Sequence, residues 1–278
     1  MITRFAPSPT GPLHLGHAYS ALLIWDMAAK AGTTPLLRIE DNDSTRSRPA
    51  FIQGIYDDLD WLGLAWHAPP RRQSDHLGDY NTVLDELAQM GLVYPCHCTR
   101  RDIISAGATQ GEEGYVYPGT CRHRGMTSAG IGDAIRLDLG KIQNLMPKVT
   151  FTDTGPLQSG THSVNLTDMI AKTGDLVLRR RENGDIAYLL ACTHDDAVQN
   201  ITHVIRGDDL WGQTAVQVMI QTLMGWPTPT YYHHDLIRDQ DGKRLAKIAK
   251  SQSLANLRQN GATPDDIRRM VGLCGQDC

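Results

Sequence analysis

Residues 4–18 read RFAPSPTGPLHLGHA, a short apolar segment that runs through a turn rich in proline and glycine into a helical pattern. Apolar residues recur at helical spacing over residues 15–31. A strand that feeds a helix in this way leaves the first helical N–H groups free to receive a phosphate group. His14 and His17 stand at this point, and Gly16 between them lets a ligand come close. The stretch therefore predicts a nucleotide site beyond the first strand.

The segments that follow alternate between strands and helices. TPLLRIED at residues 34–41 predicts a second buried strand, and a helix is expected over residues 48–62. A further helix at residues 80–90 and apolar runs at 134–139 and 186–207 are expected to complete the sheet, the last as a helix followed by a strand. This alternation predicts an α/β fold with a parallel sheet. Ligands collect beyond the carboxyl ends of such strands, where PSPTG and EDND lie.

The composition is that of an ordinary soluble protein. The chain has 278 residues, 41% of them hydrophobic and 21% charged, with a net charge of -4. The negative charge argues against bulk electrostatic binding of nucleic acid, and no apolar stretch predicts a membrane span or a signal peptide. We expect a cytoplasmic protein. Arginine clusters at residues 71–72, 100–101, 122–124 and 179–181 are either solvated faces or parts of a phosphate-binding surface.

Three blocks of the sequence occur in the order of a known family. They are RFAPSPTGPLHLGHA (residues 4–18), LRIEDNDSTRSRPAFIQGIYDDLDWLGLAW (residues 37–66) and HVIRGDDL (residues 203–210). They closely resemble the glutamyl-tRNA synthetase group of class I aminoacyl-tRNA synthetases. The resemblance implies a Rossmann-like parallel sheet and an H-x-G-H motif that binds ATP during amino-acid adenylation. RLAKI at residues 244–248 then takes the place of the basic K-M-S-K-S loop of the family.

The resemblance also implies how the nucleotide is held. His14, His17 and Lys247 are expected to be catalytic, because they would stabilise charge on the ATP phosphates, with Mg²⁺ assisting. Ala246 stands where the family usually has serine, so a hydrogen bond from that hydroxyl is missing. The ATP-binding residues implied in this way are His14, Gly16, His17, Arg244 and Lys247.

The expected amino acid is L-glutamate. Its two carboxylates and one ammonium require at least two cationic or strong-donor positions and one carboxylate. By resemblance, Arg4 and Arg206 share the carboxylates, Glu40 takes the ammonium and Tyr188 closes the pocket. The glutamate-binding residues implied in this way are Arg4, Phe5, Ala6, Pro7, Ser8, Glu40, Tyr188 and Arg206. Without the family, Arg38, Glu40, Asp41 and Asp43 are read as a charge-paired strand end on the surface.

Residues 94–132 are rich in Cys, Arg and Gly and are expected to form an inserted module. CHC at residues 96–98 and YPGTC at residues 117–121 offer three thiolates and a phenol, which tetrahedral Zn²⁺ accepts. Some synthetases of this group have such a structural zinc site, and the resemblance implies Cys96, Cys98, Tyr117 and Cys121 as ligands. His97 and His123 are alternative fourth ligands, and reduced cysteines without metal remain the other interpretation. Cys192, Cys274 and Cys278 have no partners at metal spacing.

The expected domain organisation is a catalytic domain at residues 1–235 that carries the module, followed by the signature loop and a short helical segment at residues 236–278. About thirty residues follow Lys247, so no anticodon-binding domain is expected. A truncated member of the group with this layout transfers glutamate to queuosine in the anticodon of tRNA(Asp). The implied partners are therefore L-glutamate, ATP and queuosine-bearing tRNA(Asp), with no membrane partner, and we expect a monomer.

Three other functions stay open from the residues. One is a shortened glutamyl-tRNA synthetase that charges the 3′ end of its tRNA. Another is a non-catalytic paralogue that kept the amino-acid pocket. The third is a small-molecule adenylyltransferase that shares only the H-x-G-H motif, although the combination of Arg4, Glu40 and Arg206 disfavours it.

Overall fold

The first part of the chain forms a small parallel sheet with helices between its strands. The computed structural model describes residues 1–111, 114–237 and 253–273. The first elements are β1 (Arg4–Phe5), α1 (Leu15–Lys30), β2 (Leu36–Ile39), α2 (Pro49–Trp61), β3 (Arg71–Arg72) and α3 (Leu77–Gln89). β1 pairs parallel with β2, and β2 pairs parallel with β3. The predicted alternation of strands and helices is confirmed here.

The next part of the chain leaves this sheet. Its elements are β4 (Val93–Cys96), α4 (Arg100–Ser105), β5 (Gln110–Gly111), β6 (Gly114–Tyr115), β7 (Ala134–Leu137) and α5 (Leu139–Leu145). β7 pairs antiparallel with β4. The prediction that residues 134–139 help to complete the parallel sheet is therefore wrong. The backbone groups of this strand are hydrogen-bonded in a separate antiparallel sheet that flanks the predicted module.

The second half of the chain adds more parallel strands. Its elements are β8 (Lys148–Asp153), β9 (Gly160–Asn165), α6 (Leu166–Thr173), β10 (Leu176–Arg179), α7 (Tyr188–Val198), β11 (His203–Gly207), α8 (Trp211–Leu223) and β12 (Thr230–His234). β12 lies between β11 and β8 and is parallel to both, whereas β9 and β10 pair antiparallel with β8 and β7. The helix and strand predicted over residues 186–207 are confirmed as α7 and β11.

Hydrogen bonds connect the two groups of parallel strands. The backbone N–H groups of Thr202 and His203 donate to the carbonyl of Ile2 at 2.9 and 3.1 Å. This contact sets β11 beside β1, so the carboxyl ends of β1, β2 and β11 open on one side of the molecule. α1 begins on that same side, because it follows directly after β1.

Two short helices, α9 (Leu254–Gln259) and α10 (Pro264–Met270), lie in the last described range, residues 253–273. Thr263 is the N-cap of α10 and Pro264 its first residue, as the sequence predicts. Arg268 on α10 forms an ion pair with Asp26 on α1 at 2.9 Å. Ile267 is fully buried in the same core cluster as α1 and α2, so α10 packs against the helices of the first sheet. None of the helices in the described ranges combines the length and the apolar character that crossing a membrane requires.

Candidate active site

A cavity of about 560 Å³ lies beyond the carboxyl ends of the parallel strands. Residues 4–8 reach it from β1, Glu40 from the end of β2 and Arg206 from β11, while α1 and α7 contribute their first turns. Among the residues that line it are Arg4, Phe5, Ala6, Pro7, Ser8, His14, Gly16, His17, Glu40, Tyr188 and Arg206. The fold thus brings together every described residue that the sequence assigns to glutamate or nucleotide. Arg244, Ala246 and Lys247 lie outside the described residues.

The backbone of α1 fixes the two histidine rings. The N–H of Gly16 donates to Nδ1 of His14 at 3.1 Å, and the N–H of His14 donates to Nδ1 of His17 at 3.2 Å. Since a neutral imidazole has one donor and one acceptor nitrogen, both rings carry their proton on Nε2. Their centroids are 3.9 Å apart. The helix start therefore presents two adjacent N–H donors to the cavity, as phosphate oxygens require.

Both histidines are neutral at physiological pH. Burial lowers the pKa of His14, and burial together with the charge of a protonated His14 lowers the pKa of His17 to about 3. Desolvation penalises the charged imidazolium, and two cations at this separation would repel each other. The rings thus act as hydrogen-bond donors and contribute no net charge.

Gly16 is the residue whose substitution tests this pair. A β-carbon at position 16 would lie 3.0 Å from Cε1 and 3.1 Å from Nδ1 of His14, closer than carbon atoms normally pack. We expect Gly16→Ala to turn the His14 ring and to lower kcat for glutamate-dependent ATP–pyrophosphate exchange about 10- to 100-fold. The KM for glutamate should stay within about twofold, because α1 does not hold the charges at the other end of the cavity. An unchanged kcat would contradict a role of the pair in adenylation.

A buried network of alternating charges forms the floor of the cavity. Asp196 on α7 accepts from Nε of Arg4 and from Nη1 of Arg38, both at 2.8 Å. Arg38 in turn donates to Oε1 of Glu40 at 3.2 Å. Arg38 is 0% and Glu40 3% exposed. The interpretation of Arg38, Glu40, Asp41 and Asp43 as a charge-paired strand end on the surface is therefore wrong in its location, because all four are buried, Asp41 and Asp43 at 6% exposure each.

The network keeps its acidic members in different electrostatic states. Burial raises the pKa of Glu40, and the positive charges of Arg38 and Arg4 oppose that shift. Burial also acts to raise the pKa of Asp196, but the charges of Arg4 and Arg38 outweigh it and hold this pKa below its usual range. Asp196 is thus a permanent anion that neutralises two guanidinium groups. Among the residues that the structure describes, Arg38 is the one side-chain partner of Glu40, and Glu40 faces the cavity, where it can accept a cationic group.

Arg206 lies at the other side of the cavity and is surrounded by neutral groups. Its guanidinium donates to Oε1 of Gln217 and Oγ1 of Thr214, each at 2.7 Å, and to Nε2 of His233 at 3.0 Å. It is 5% exposed, and within the described residues no carboxylate lies within 4.0 Å of it. Asp153 interacts with Nδ1 of the same His233 and so reaches Arg206 only through that ring. A buried cation with no direct anionic partner is costly, so this position favours an anionic ligand.

The residue most important to this geometry that the sequence interpretation missed is Asp196. Tyr188, Cys192 and Asp196 recur every four residues on α7 and therefore share one helix face. Cys192 is buried with its Sγ 3.4 Å from Nη2 of Arg38. The spacing was a signal that these three face one site. Ser20 and His234 also line the cavity and lie 2.8 Å apart, and no sequence pattern connects them.

The cysteines of the predicted module converge at a second place. The Sγ atoms of Cys96, Cys98 and Cys121 all lie within 4.8 Å of one another. The Tyr117 hydroxyl lies 3.3 Å from Sγ of Cys96 and 3.5 Å from Sγ of Cys98. Nδ1 of His97 is 3.9 Å from Sγ of Cys121. Three thiols and a phenol at this spacing fit a tetrahedral metal ion.

Two adjacent imidazole N–H donors lie at a helix start beyond parallel strands, where they suit the phosphates of a nucleotide. Charged side chains of both signs line the same cavity and suit an amino acid. Together these features define a class I enzyme that uses a nucleotide to activate an amino acid. The chain belongs to the tRNA synthetases class I (E and Q), whose catalytic-domain model matches residues 1–129 and 161–277. The fold class predicted from the sequence is thereby confirmed as the α/β fold of class I synthetases with a parallel sheet.

Comparison with individual proteins shows which members of this family the chain is similar to. The chain is 48% identical to the glutamyl-Q tRNA(Asp) synthetase of Rhodobacter capsulatus, over 98% of this chain and 100% of that protein. It is 39% identical to the protein of the same name from Nitratidesulfovibrio vulgaris, over 97% of this chain and 85% of that one. A glutamate tRNA ligase from Elizabethkingia meningosepticum, solved in complex with its amino acid, superposes with a TM-score of 0.74 at 26% identity. That match covers 99% of this chain and 61% of the solved chain.

Proposed function

We propose that this protein activates L-glutamate with ATP and transfers it to queuosine in the anticodon of tRNA(Asp). The observation that carries the proposal is the charge pattern of one cavity: Glu40 at one position, Arg4 and Arg206 at two others, and the His14–His17 donor pair at its edge. Glutamate has one ammonium and two carboxylates, so this pattern is complementary to it. The identity of 48% to a glutamyl-Q tRNA(Asp) synthetase, over 98% of this chain and 100% of that protein, supports the acceptor.

The proposed reaction has two steps. An oxygen of the glutamate α-carboxylate attacks the α-phosphorus of ATP, and the bond to the departing pyrophosphate breaks, which leaves glutamyl-adenylate. A hydroxyl of queuosine then attacks the adenylate carbonyl and loses its proton, and the bond to AMP breaks. The adenylate already supplies the activation, so no covalent bond to the protein is needed.

Each residue has a role in this scheme. Glu40 binds the substrate ammonium, Arg4 and Arg206 bind the two carboxylates with help from Ser8, and Tyr188 closes the pocket. Nε2–H of His14 and of His17 stabilises charge on the phosphates, and Gly16 lets the nucleotide approach. We assign Arg244 and Lys247 to the same phosphates, with Mg²⁺ accompanying ATP. The remaining chain at residues 236–278 is proposed as a signature loop and short helical segment attached to a monomeric, cytoplasmic catalytic domain.

Transfer of radiolabelled glutamate tests the acceptor. Two tRNA(Asp) samples that differ only in the presence of queuosine, both without the 3′-terminal adenosine, are incubated with enzyme, ATP and Mg²⁺. Labelling of the queuosine-containing sample alone supports the proposal. Labelling of intact tRNA(Glu), with none on either tRNA(Asp) sample, would instead identify an enzyme that charges the 3′ end. Absence of glutamate-dependent pyrophosphate exchange would identify a non-catalytic paralogue.

We further propose that Cys96, Cys98, Tyr117 and Cys121 hold a structural Zn²⁺. The four donor atoms lie close enough together to share one ion, and four protein ligands leave no position for a reacting water. When bound, the ion would crosslink the start of the module to residues 117–121 and stabilise its fold.

Metal content and stability test this site. We expect Cys121→Ser to lower bound zinc from about one per chain to less than a fifth, and to lower the thermal midpoint by about 5 °C or more, because structural zinc contributes folding free energy. His97→Ala is the matched control, since His97 is the alternative fourth ligand, and it should keep its zinc. Loss of zinc in the His97 variant would identify His97, in place of Tyr117, as the fourth ligand. Wild-type protein without zinc would refute the site.

A further inference from the structure

The arginine clusters of this chain differ in what their guanidinium groups contact. Arg71 and Arg72 pair with Asp195 and Asp41 at 2.8 and 2.9 Å. Two arginines of the 122–124 cluster are likewise bound to carboxylates of the same part of the chain. Because these arginines form ion pairs with carboxylates of the protein, the charge of both clusters is largely neutralised. The arginines near the mouth of the cavity are different.

Two loops next to the cavity are joined to each other. Nδ2 of Asn42 donates to the carbonyl of Ile186 at 2.9 Å, and the N–H of Ser44 donates to Asp185 at 2.8 Å. Asp43 accepts from both Arg46 and Arg180, each at 2.8 Å. One carboxylate therefore serves two guanidinium groups, and the paired loops keep a positive excess.

The joined loops border the mouth of the cavity. Residues 42–48 begin two positions after Glu40, and residues 180–186 end two positions before Tyr188. The N–H of Arg48 donates to the carbonyl of Pro9 at 3.1 Å, beside the PSPTG turn that lines the cavity. An RNA strand with one of its bases in the cavity would therefore lie next to these loops.

α4 extends the positive surface on the far side of the second loop. Hydrogen bonds from the backbone and hydroxyl of Thr99 lower the pKa of Asp102, and the charges of Arg181 and His97 add to this shift. β10 and β4 both pair antiparallel with β7, and Arg179 and Pro95 are both register partners of Ile135. Arg181 and α4 therefore follow two strands that end at the same edge of this sheet, in agreement with the effect of Arg181 on Asp102. Arg100 places its guanidinium carbon 5.5 Å from the ring centre of Tyr115, which leaves its N–H groups available to a ligand.

We call this surface the basic rim and define it by its six arginines: Arg46, Arg48, Arg100, Arg101, Arg180 and Arg181. Arg48, Arg100 and Arg101 are exposed. Within residues 1–111, 114–237 and 253–273, these three and Arg181 have no carboxylate within the 4.0 Å of an ion pair. The acidic residues on the same segments are Asp43, Asp102, Glu182 and Asp185. The rim is therefore locally positive in a chain whose net charge is -4.

We infer that the basic rim binds the phosphates of an RNA strand on either side of the nucleotide whose base enters the cavity. The inference rests on the proposed function and deepens it, since it names the surface that the RNA contacts. The six guanidinium groups are spread over three segments and do not converge on one point, so they suit a chain of separate phosphates better than one small anion. Tyr115, beside Arg100, adds an aromatic face on which an unstacked base can lie.

A triple variant tests the rim without touching the cavity. Arg100→Gln, Arg101→Gln and Arg181→Gln together remove three charges that make no ion pair within the described residues, so the fold should persist. With queuosine-bearing tRNA(Asp) as the probe, we expect its Kd to rise about 10- to 100-fold at low salt. The slope of log Kd against log salt concentration should fall by about two, because each of the three lost phosphate contacts on a single strand removes about 0.7.

The matched control is Lys30→Gln. Lys30 is an exposed cation in the last turn of α1, and at 1.5 Å per residue it lies about 20–24 Å along the helix from the histidine pair. The Kd of the Lys30→Gln variant for queuosine-bearing tRNA(Asp), and the slope of log Kd against log salt concentration, should equal those of the wild type. An unchanged Kd and an unchanged slope in the triple variant would show that the basic rim does not bind the phosphates of the RNA. If the wild-type enzyme labels tRNA(Asp) with and without queuosine equally, the proposed acceptor fails, whatever the rim variants show.

Discussion

Arg206→Gln is expected to lower kcat/KM for glutamate about 100- to 1000-fold in ATP–pyrophosphate exchange, while the thermal midpoint stays equal or rises. The guanidinium of Arg206 is buried among Thr214, Gln217 and His233, all of them neutral hydrogen-bond partners. Without substrate this charge has no direct anionic partner among the described residues, since Asp153 meets it only through His233, and its burial costs stability. With glutamate bound it would meet a carboxylate, and losing one member of such a pair costs about 2–5 kcal/mol. The substitution therefore separates function from stability.

Arg38→Gln is the control for this experiment. Arg38 is equally buried, but it is paired with both Asp196 and Glu40. Its loss leaves two buried carboxylates with one guanidinium, so the thermal midpoint should fall clearly. If Arg206→Gln destabilises the protein as much as Arg38→Gln and leaves kcat/KM near the wild-type value, then Arg206 is a structural residue and the carboxylate site lies elsewhere.

Asp196→Asn is expected to reduce the free energy of unfolding in urea by about 3–5 kcal/mol, because it leaves Arg4 and Arg38 buried with too little negative charge. Asp196 Oδ1 joins Nε of Arg4 and Nη1 of Arg38 at 2.8 Å each. The same change should raise the KM for glutamate at least about 10-fold, since Asp196 positions Arg4 directly and Glu40 through Arg38. Urea denaturation and pyrophosphate exchange measure the two effects on one preparation.

The double variant Asp196→Asn with Arg38→Gln shows whether the effect is electrostatic. It removes one positive and one negative charge together, so the network is again balanced. We expect the loss of unfolding free energy to be smaller than the sum of the two single losses by about 1 kcal/mol or more. Strict additivity would show that the two residues act independently, which would contradict the network as the positioning device.

The sequence alone determined much of the local structure and which residues lie together at the cavity. The turn and histidines of residues 4–18, the helix and strand of residues 186–207, and the Thr263–Pro264 helix start are all found as predicted. Such features depend on hydrogen bonds and side-chain spacing within a few residues, so they can be read along the chain. The family motifs also named the residues that the fold gathers around one cavity.

Only the tertiary structure decided which distant groups share an environment. Arg4 meets Asp196 across 192 positions of sequence, and residues 134–137 join an antiparallel sheet although their apolar pattern suits either sheet. The same holds for the arginine clusters, because an arginine paired with aspartate and a free one look alike in sequence. Burial and charge pairing depend on contacts between remote segments, which local spacing does not encode. For this reason the sequence could list the charged residues, but the fold determined which of them remain available to a ligand.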